Sequence, residues 1–423
     1  MSETIVAIAS PPGMGAVSVI RLSGSRAFEI AVSVMRGEIL PKPRRVGLRS
    51  IEDDTGRVID EGLLITFKGP GSYTGENVVE FTGHGGIMVT RRVLERFVEA
   101  GAVPAGPGEF TQRAFMNGRM DLTQAEAVMD LISAQTSLAL RSANEQLDGR
   151  LGRTCEVIRS KLLGATAHVE AFIDFPEEDI DPEVGEVLCK TLLEQSASIA
   201  GLLGTADQGR ILREGVRTVI FGKPNVGKSS LLNRLLGYQR AIVSSREGTT
   251  RDTIEEVVNL RGIPLRLIDT AGVRDSSDEI EREGIAMTHG QVARADLVLV
   301  IRDLSECLVE SAEVNIPDGA RRLDILNKSD LEDASWAEVR GLRISCESGD
   351  GFEDLESAIT ELLSLDEAHW GDHSIAVNAR HQACLTRAQS SLTRAITSLR
   401  GGDDPELTSR DLRDALTAVG EIA

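Results

Sequence analysis

The stretch Gly222-Lys223-Pro224-Asn225-Val226-Gly227-Lys228-Ser229 has residue types and a spacing that suit one chemistry, the holding of a polyphosphate. Its glycines let backbone N–H groups turn toward phosphate oxygens, and the N-terminus of a following helix adds a favourable field. Lys228 offers a cation to the β and γ phosphates, Ser229 a hydroxyl to Mg2+, and Asn225, Val226, Gly227 and Ser230 complete the cradle. The setting agrees: the apolar run Thr218–Phe221 predicts a strand before the loop, and Ser230–Leu236 predicts a helix after it. A Gly-rich turn arising by chance would not be framed in this way.

Further elements follow in an order that only a nucleotide site explains. The run Leu265–Ile268 predicts a strand ending in Asp269-Thr270-Ala271-Gly272. There Asp269 reaches Mg2+ through water and the Gly272 N–H senses the γ-phosphate. Asn327-Lys328-Ser329-Asp330 follows the run Leu323–Leu326, and the Asp330 carboxylate suits the N1–H and 2-amino donors of guanine, a pair that adenine lacks. Ser345-Cys346-Glu347 follows Leu342–Ile344 and offers backbone N–H groups to guanine O6. Between the phosphate loop and Asp269 lies Gly248-Thr249-Thr250-Arg251-Asp252, a switch segment whose Thr250 is the expected second Mg2+ hydroxyl. The residue after Gly272 is Val273, where many GTPases carry a water-orienting Gln, so that role must come from elsewhere. The acidic stretch Asp275–Glu283 lies just downstream, and most of its carboxylates read as a solvated helix face.

These residues need elements to hold them. From Arg217 to about Leu365 strand and helix patterns alternate, as in a doubly wound α/β domain. Before it, long helical patterns run to about Phe175, and another from Glu183 to Ala206. Thr123-Gln124-Ala125-Glu126 fits a capping box at the start of the first of them. Helix returns after Gly371-Asp372. In front, strands are expected at Thr4–Ala9, Ala16–Leu22, Gly62–Phe67 and Val78–Phe81, with a helix at Val89–Ala100, which makes a small α+β domain. The expected organisation is an α+β domain over 1–118, a helical domain over 119–212 and 371–423, and a P-loop (Ras-like) α/β domain over 213–370 inserted into it.

Composition narrows the partners. The 423 residues carry 46 basic and 66 acidic side chains, a formal charge of −20, so the chain does not coat nucleic acid by bulk charge. Aromatic content is 3%, too low for extended base-stacking platforms. Five cysteines, none in a Cys-x-x-Cys pair, argue for a reducing compartment and against a zinc site. No apolar run approaches membrane-spanning length, and Met1-Ser2-Glu3-Thr4 does not begin a secretory signal. A cytoplasmic location is expected.

The chain resembles the MnmE (TrmE) family of tRNA-modification GTPases. The resemblance rests on the segments 9–16, 72–76, 83–86 and 107–111, which read ASPPGMGA, SYTGE, GHGG and PGEFT, on Ala171-Phe172-Ile173-Asp174-Phe175-Pro176, and on Gly248-Thr249-Thr250-Arg251-Asp252. It implies a potassium-dependent GTPase that acts as a homodimer. With a flavin-dependent partner, MnmG, such a protein modifies C5 of the wobble uridine of certain tRNAs, and a folate carries the one-carbon unit. Matching motif to motif, the resemblance puts Arg21, Glu80 and Arg119 at the folate, a tetrahydrofolate derivative; without it, Arg21 and Arg119 would read as surface residues. It implies that the loop Ser244-Ser245-Arg246-Glu247-Gly248-Thr249-Thr250 lies along the nucleotide. By the same resemblance Asn225 of the phosphate loop, with Ser244, Arg246 and Thr249 of this loop, would ligate K+, while Glu281 would orient the attacking water.

Other readings remain open at this level. One is a GTPase switch in ribosome or RNA assembly that performs no chemistry on RNA; another is a folate-binding scaffold with a vestigial G domain, against which Lys228, Thr250 and Asp269 speak. The family ends in Cys-x-Gly-Lys, whereas this sequence stops at Gly420-Glu421-Ile422-Ala423, so a GTPase-competent form without modification activity is a further expectation. On that reading the last helices are cut short and Leu412, Leu416 and Val419 lose cover. Arg380, Arg387 and Arg394 recur every seven residues on one helix face and read equally as an RNA contact or as a solvated face over apolar neighbours.

Overall fold

The computed structural model describes residues 3–37, 39–175, 183–238, 256–268, 292–305, 320–331, 336, 339–363, 375–402 and 404–423. The chain forms two compact units, Met1–Val128 and Met129–Ala423.

In the first unit a six-stranded sheet runs in the order β3-β4-β5-β2-β1-β6. Its strands are β1 (Ile5–Ile8), β2 (Val17–Ser23), β3 (Val46–Glu52), β4 (Val58–Phe67), β5 (Val78–His84) and β6 (Val103–Pro104). Burial alternates residue by residue along β2 and β4, the mark of a sheet with one covered face. Helices α1 (Ala27–Val34) and α2 (Ile87–Glu99) supply that cover, and Ile30, Val34, Val93 and Phe97 pack with Ile20, Leu22, Leu64 and Phe81. The expected strands and helix overlap β1, β2, β4, β5 and α2; β3, β6, α1 and the short α3 (Glu109–Met116) were not foreseen. The register places Arg21 of β2 directly opposite Glu80 of β5.

The expected capping box is displaced by two residues. Helix α4 (Leu122–Ser133) is capped by Asp121, whose Oδ1 accepts from the Gln124 N–H at 2.8 Å, while Gln124 Oε1 accepts from the Asp121 N–H at 3.0 Å. Thr123 is already inside the helix and donates its hydroxyl to the same Asp121 oxygen. A carboxylate one residue before the first turn satisfies the N3 donor better than a hydroxyl placed within it.

Among the described residues the second unit contains, besides two small satellite clusters against its sheet, two large separate cores. One belongs to four helices: α6 (Arg150–Asp174), α7 (Glu183–Gly204), α11 (Ala379–Gly401) and α12 (Pro405–Gly420). Each packs on two of the others, in the ring α6-α7-α11-α12. Between α7 and α11 the chain passes through α8 (Ala206–Glu214) into a second sheet of order β12-β11-β10-β7-β9-β8. Its strands are β7 (Val216–Phe221), β8 (Glu256–Leu260), β9 (Ile263–Leu267), β10 (Leu297–Asp303), β11 (Arg321–Asn327) and β12 (Leu342–Arg343). All neighbours are parallel except the β8–β9 hairpin. Helices α9 (Lys228–Tyr238) and α10 (Phe352–Leu362) flank it. Strand β10 is buried almost throughout, as a parallel strand covered on both faces must be. Among the described residues no helix is long and apolar enough to cross a membrane.

Two expectations about the last helices are corrected. Leu412 and Val419 are buried and Leu416 is packed against the same core, so these residues are covered by α6 and α11. Even Ile422 is fully buried. The arginine face of α11 is committed to α12. Arg380 donates to the carbonyls of Glu421 and Ile422 at 2.6 and 2.9 Å, Arg387 pairs with the Glu421 carboxylate, and Arg394 Nε donates to Asp411 at 3.1 Å. These contacts commit the face to polar groups of α12, a use that neither reading of the sequence named.

Because Leu412 is fully buried where α12 meets the bundle, Leu412→Ala should destabilise the bundle by about 2–5 kcal/mol. Urea denaturation followed by helical circular dichroism measures this; an unshifted helical transition would contradict the packing described.

Candidate nucleotide site

Strand β7 is the first of its sheet, with β9 on one side and β10 on the other, so chain connections leave it in opposite directions. The crevice that opens at the C-terminal end of such a strand is where α/β sheets bind ligands. The loop 222–227 lies there, between β7 and α9, and the described sequence-predicted residues gather around it. Asn225 sits in the left-handed region at φ 62° and is exposed, as are Ser229 and Ser230 in the first turn of α9. Val226 turns its side chain into the sheet core and contributes to the loop through its backbone. Lys228 Nζ donates to the carbonyls of Gly222 and Lys223 at 2.9 and 2.8 Å, closing the loop on itself.

Gly227 explains why this loop tolerates no side chain at that point. Its φ is +99°, and a Cβ there would lie 2.2 Å from Asn327 Nδ2. The approach is needed because Asn327, buried at the end of β11, donates Nδ2 to the Val226 carbonyl at 2.9 Å and accepts the Cys346 N–H at Oδ1, 3.1 Å away. One amide thus joins the phosphate loop to the Ser345-Cys346-Glu347 loop.

Asp330 lies in the 3-10 turn Ser329–Leu331, exposed, and its carboxylate has no partner among the described residues. Lys328, at φ 64°, is held by Asp303: Nζ donates to Asp303 Oδ2 at 2.5 Å. Asp303 is a residue that sequence reading missed. It ends the apolar strand β10, is nearly fully buried, and also accepts the Ser305 N–H and hydroxyl. Burial works against its charge, but the hydrogen bonds from Lys328 and Ser305 prevail and hold its carboxyl below the usual range.

Ser345 is fully buried, with its N–H donated to Asp350 O at 3.0 Å and its hydroxyl accepting the Ser348 N–H. Burial pushes the Cys346 thiol up to about 11, so it stays neutral and the loop acts through its backbone. With Ser345, Cys346 and Ser348 N–H groups engaged, the Glu347 N–H is the donor in this stretch that has no acceptor among the described residues. Ser244, Ser245, Arg246, Glu247, Gly248, Thr249, Thr250, Asp269, Thr270, Ala271, Gly272 and Glu281 lie outside the described residues.

In the first unit, Arg21 Nε donates to Glu80 Oε1 at 2.7 Å, and the guanidinium sits over the rings of Tyr73 and Phe110, 5.3 and 5.6 Å from their centroids. Arg119 is exposed; its aliphatic stem passes over Gly75, where a Cβ would lie 3.3 Å from Arg119 Cγ. Arg21 and Arg119 therefore border the Ser72–Glu76 loop, and Glu80 is joined to it through Arg21.

A phosphate loop at the switch point of a parallel sheet, with Asn327, Asp330 and the 345–347 loop beside it, defines a P-loop GTPase. A family model described as "MnmE helical domain" matches residues 122–423, and one described as "GTP-binding protein TrmE N-terminus" matches residues 4–119. The protein named tRNA modification GTPase MnmE from Akkermansia muciniphila is 48% identical over 99% of this chain and 94% of its own length. Its namesake from Geobacter sulfurreducens is 44% identical over 100% of this chain and 95% of its own. Among solved structures, the G domain of the T. maritima FeoB iron transporter is similar over 35% of this chain, at 24% identity and a TM-score of 0.23. The chain belongs to the MnmE family.

The Asp303 carboxyl is depressed in the folded chain, so its contribution to stability is present above the unfolded value and is lost as pH falls through the folded one. The stability difference between the wild type and Asp303→Asn should therefore stay level from neutral pH down to about pH 4 and shrink only below it. Chemical denaturation at a series of pH values tests this; a difference that vanishes by pH 6 would contradict the pairing.

Proposed function

We propose that this chain is a cytoplasmic, potassium-dependent GTPase that works as a homodimer. With a flavin-dependent MnmG partner it takes part in folate-dependent modification of C5 of the wobble uridine of tRNA. The observation that carries the reading is the Asn327 amide joining the phosphate loop to the 345–347 loop, in a chain whose relatives bear the name tRNA modification GTPase. In this reading residues 1–118 bind folate, 213–370 form the G domain, and 119–212 with 371–423 form the helical domain.

Each residue then has a task. Lys228 would turn from the Gly222 and Lys223 carbonyls to β and γ phosphate oxygens, exchanging neutral acceptors for anionic ones. Asp330 accepts from guanine N1–H and the 2-amino group, and its exposed carboxylate, without a partner among the described residues, fits that role. Ser229 and Thr250 would hold Mg2+, with Asp269 reaching it through water; Thr270, Ala271 and Gly272 would line the γ-phosphate. Asn225, Ser244, Arg246 and Thr249 would ligate K+, which when bound offsets charge developing on the phosphates. Glu281 would orient the attacking water in place of the Gln that Val273 replaces.

Glu80 and Arg21 fit a pterin. Arg21 donates to one carboxylate oxygen of Glu80, and the carboxylate keeps lone pairs with which it would accept bidentately from the ring's amidine-like edge. Tyr73 and Phe110 fix the Arg21 guanidinium, and Arg119 offers a cation to the glutamate tail. Because the chain carries a formal charge of −20, tRNA would be met through a local patch or through the basic surface of a partner.

Two measurements test the reading. Hydrolysis by the full chain should be fast in K+ and slow in Na+, and Asn225→Ala should lose the potassium stimulation; equal turnover in both salts would refute it. Asp330→Asn should shift nucleotide preference from guanine toward xanthine by competition binding, because an amide donates where a carboxylate accepts.

A further inference from the structure

Arg234 projects from the second turn of α9, the helix that opens with Lys228, and no motif singles it out. Its guanidinium reaches the 345–348 loop. Nη1 donates to Cys346 O at 3.1 Å and to Glu347 O at 3.2 Å, and Nη2 donates to Ser348 O at 3.3 Å. The Phe352 ring lies against it at 5.4 Å, and Phe352 is itself buried at the start of α10. The loop leaves room for this side chain and nothing more: Gly349, at φ +95°, would place a Cβ 1.9 Å from Arg234 Nη2.

The consequence follows from the planarity of one peptide group. The Cys346 carbonyl and the Glu347 N–H belong to the same trans peptide and point in opposite directions. A donor that grips Cys346 O on one side therefore aims the Glu347 N–H on the other, and polarises it into a stronger donor. That N–H is the one in the stretch without an acceptor among the described residues.

We propose that Arg234 is a positioning residue for base recognition, which clamps the carbonyls of 346–348 from the phosphate-loop helix and so aims the Glu347 N–H at guanine O6. The proposal rests on the reading of Ser345-Cys346-Glu347 as the loop that meets O6. It makes α9 a rod with both functions: Lys228 at its start meets phosphate, and Arg234 near its end sets the base-reading loop. A lysine would not substitute, because one ammonium cannot span three carbonyls as a planar fork does.

The experiment compares three diphosphates by equilibrium binding to the full chain: GDP, IDP, which lacks the 2-amino group, and 6-thio-GDP, whose sulfur is a poor acceptor at the O6 position. Hydrogen bonds to a charged group contribute enough that Arg234→Ala should weaken GDP about tenfold. IDP should weaken by the same factor, since Asp330 is untouched, while 6-thio-GDP should change less than about twofold, since it does not depend on the bond being aimed. Arg234→Lys should recover only a small part of the loss. Equal weakening of all three nucleotides would reduce Arg234 to a support for the fold and overturn the proposal, as would an unchanged affinity for GDP or full recovery with lysine. If the unmodified chain itself fails to distinguish GDP from 6-thio-GDP, the reading of the loop has failed, an outcome separate from failure of the clamp.

Discussion

The side-chain amide of Asn327 is the contact on which the nucleotide site depends. It is buried between two loops that come from distant parts of the chain, and it satisfies one backbone group on each: the Val226 carbonyl and the Cys346 N–H. An amide is suited to this because it carries a donor and an acceptor on one rigid plane, whereas a carboxylate, which only accepts, would leave the Val226 carbonyl unmatched. Gly227 has no side chain because the amide occupies that space. Arg234 repeats the device at the rim, where exposure allows a charged fork to collect carbonyls that water would otherwise solvate. The phosphate end and the base end are thereby fixed relative to each other by side chains as well as by the sheet.

The insertion of an α/β body into a helical one is not a loose tether. The core under β7, β8 and β9 includes Ala139 from α5 (Ser137–Leu147) and Ile211 and Leu212 from α8. At the tip of the β8–β9 hairpin, Gly262 sits so close to Leu138 that a Cβ would lie 2.8 Å from its Cδ1. Asp296, at the foot of β10, takes ion pairs from Arg210 of α8 and Arg217 of β7. A shift of the sheet body would have to repack these contacts, because close-packed interiors move in discrete steps. In the first unit the corresponding economy is the β2–β5 register, which alone brings Arg21 and Glu80 face to face.

Much was legible without coordinates, and for a physical reason. Phosphate loops, base-reading loops and apolar strands are local: each depends on a few consecutive residues whose backbone preferences and side-chain chemistry are written side by side. Hence the strands preceding the phosphate loop, the Asn327 loop and the Ser345 loop were placed near β7, β11 and β12, and the helical and α+β regions were recognised by their periods. The family resemblance was legible for the same reason, resting on short segments such as Gly83-His84-Gly85-Gly86. Where local signals competed, the reading slipped. Thr123 and Glu126 have the spacing of a capping box, but Asp121 two residues earlier holds the cap, since helix ends are decided by which acceptor lies just outside the first turn.

What the sequence by itself determined was the set of groups and their order: a glycine-rich loop between a strand and a helix, the Asn327-Lys328-Ser329-Asp330 run after another strand, and the strands that carry them. What only the tertiary structure decided was pairing across distance. No spacing rule links Asp303 to Lys328, Arg234 to the carbonyls of 346–348, or Arg380, Arg387 and Arg394 to α12. The arginines of α11 looked free because a helix face is visible in sequence and the helix that packs on it is not. Ionic and hydrogen-bond partners are chosen by whatever the folded backbone brings within about 3 Å. That choice is made after the elements dock, by packing that involves the whole chain at once.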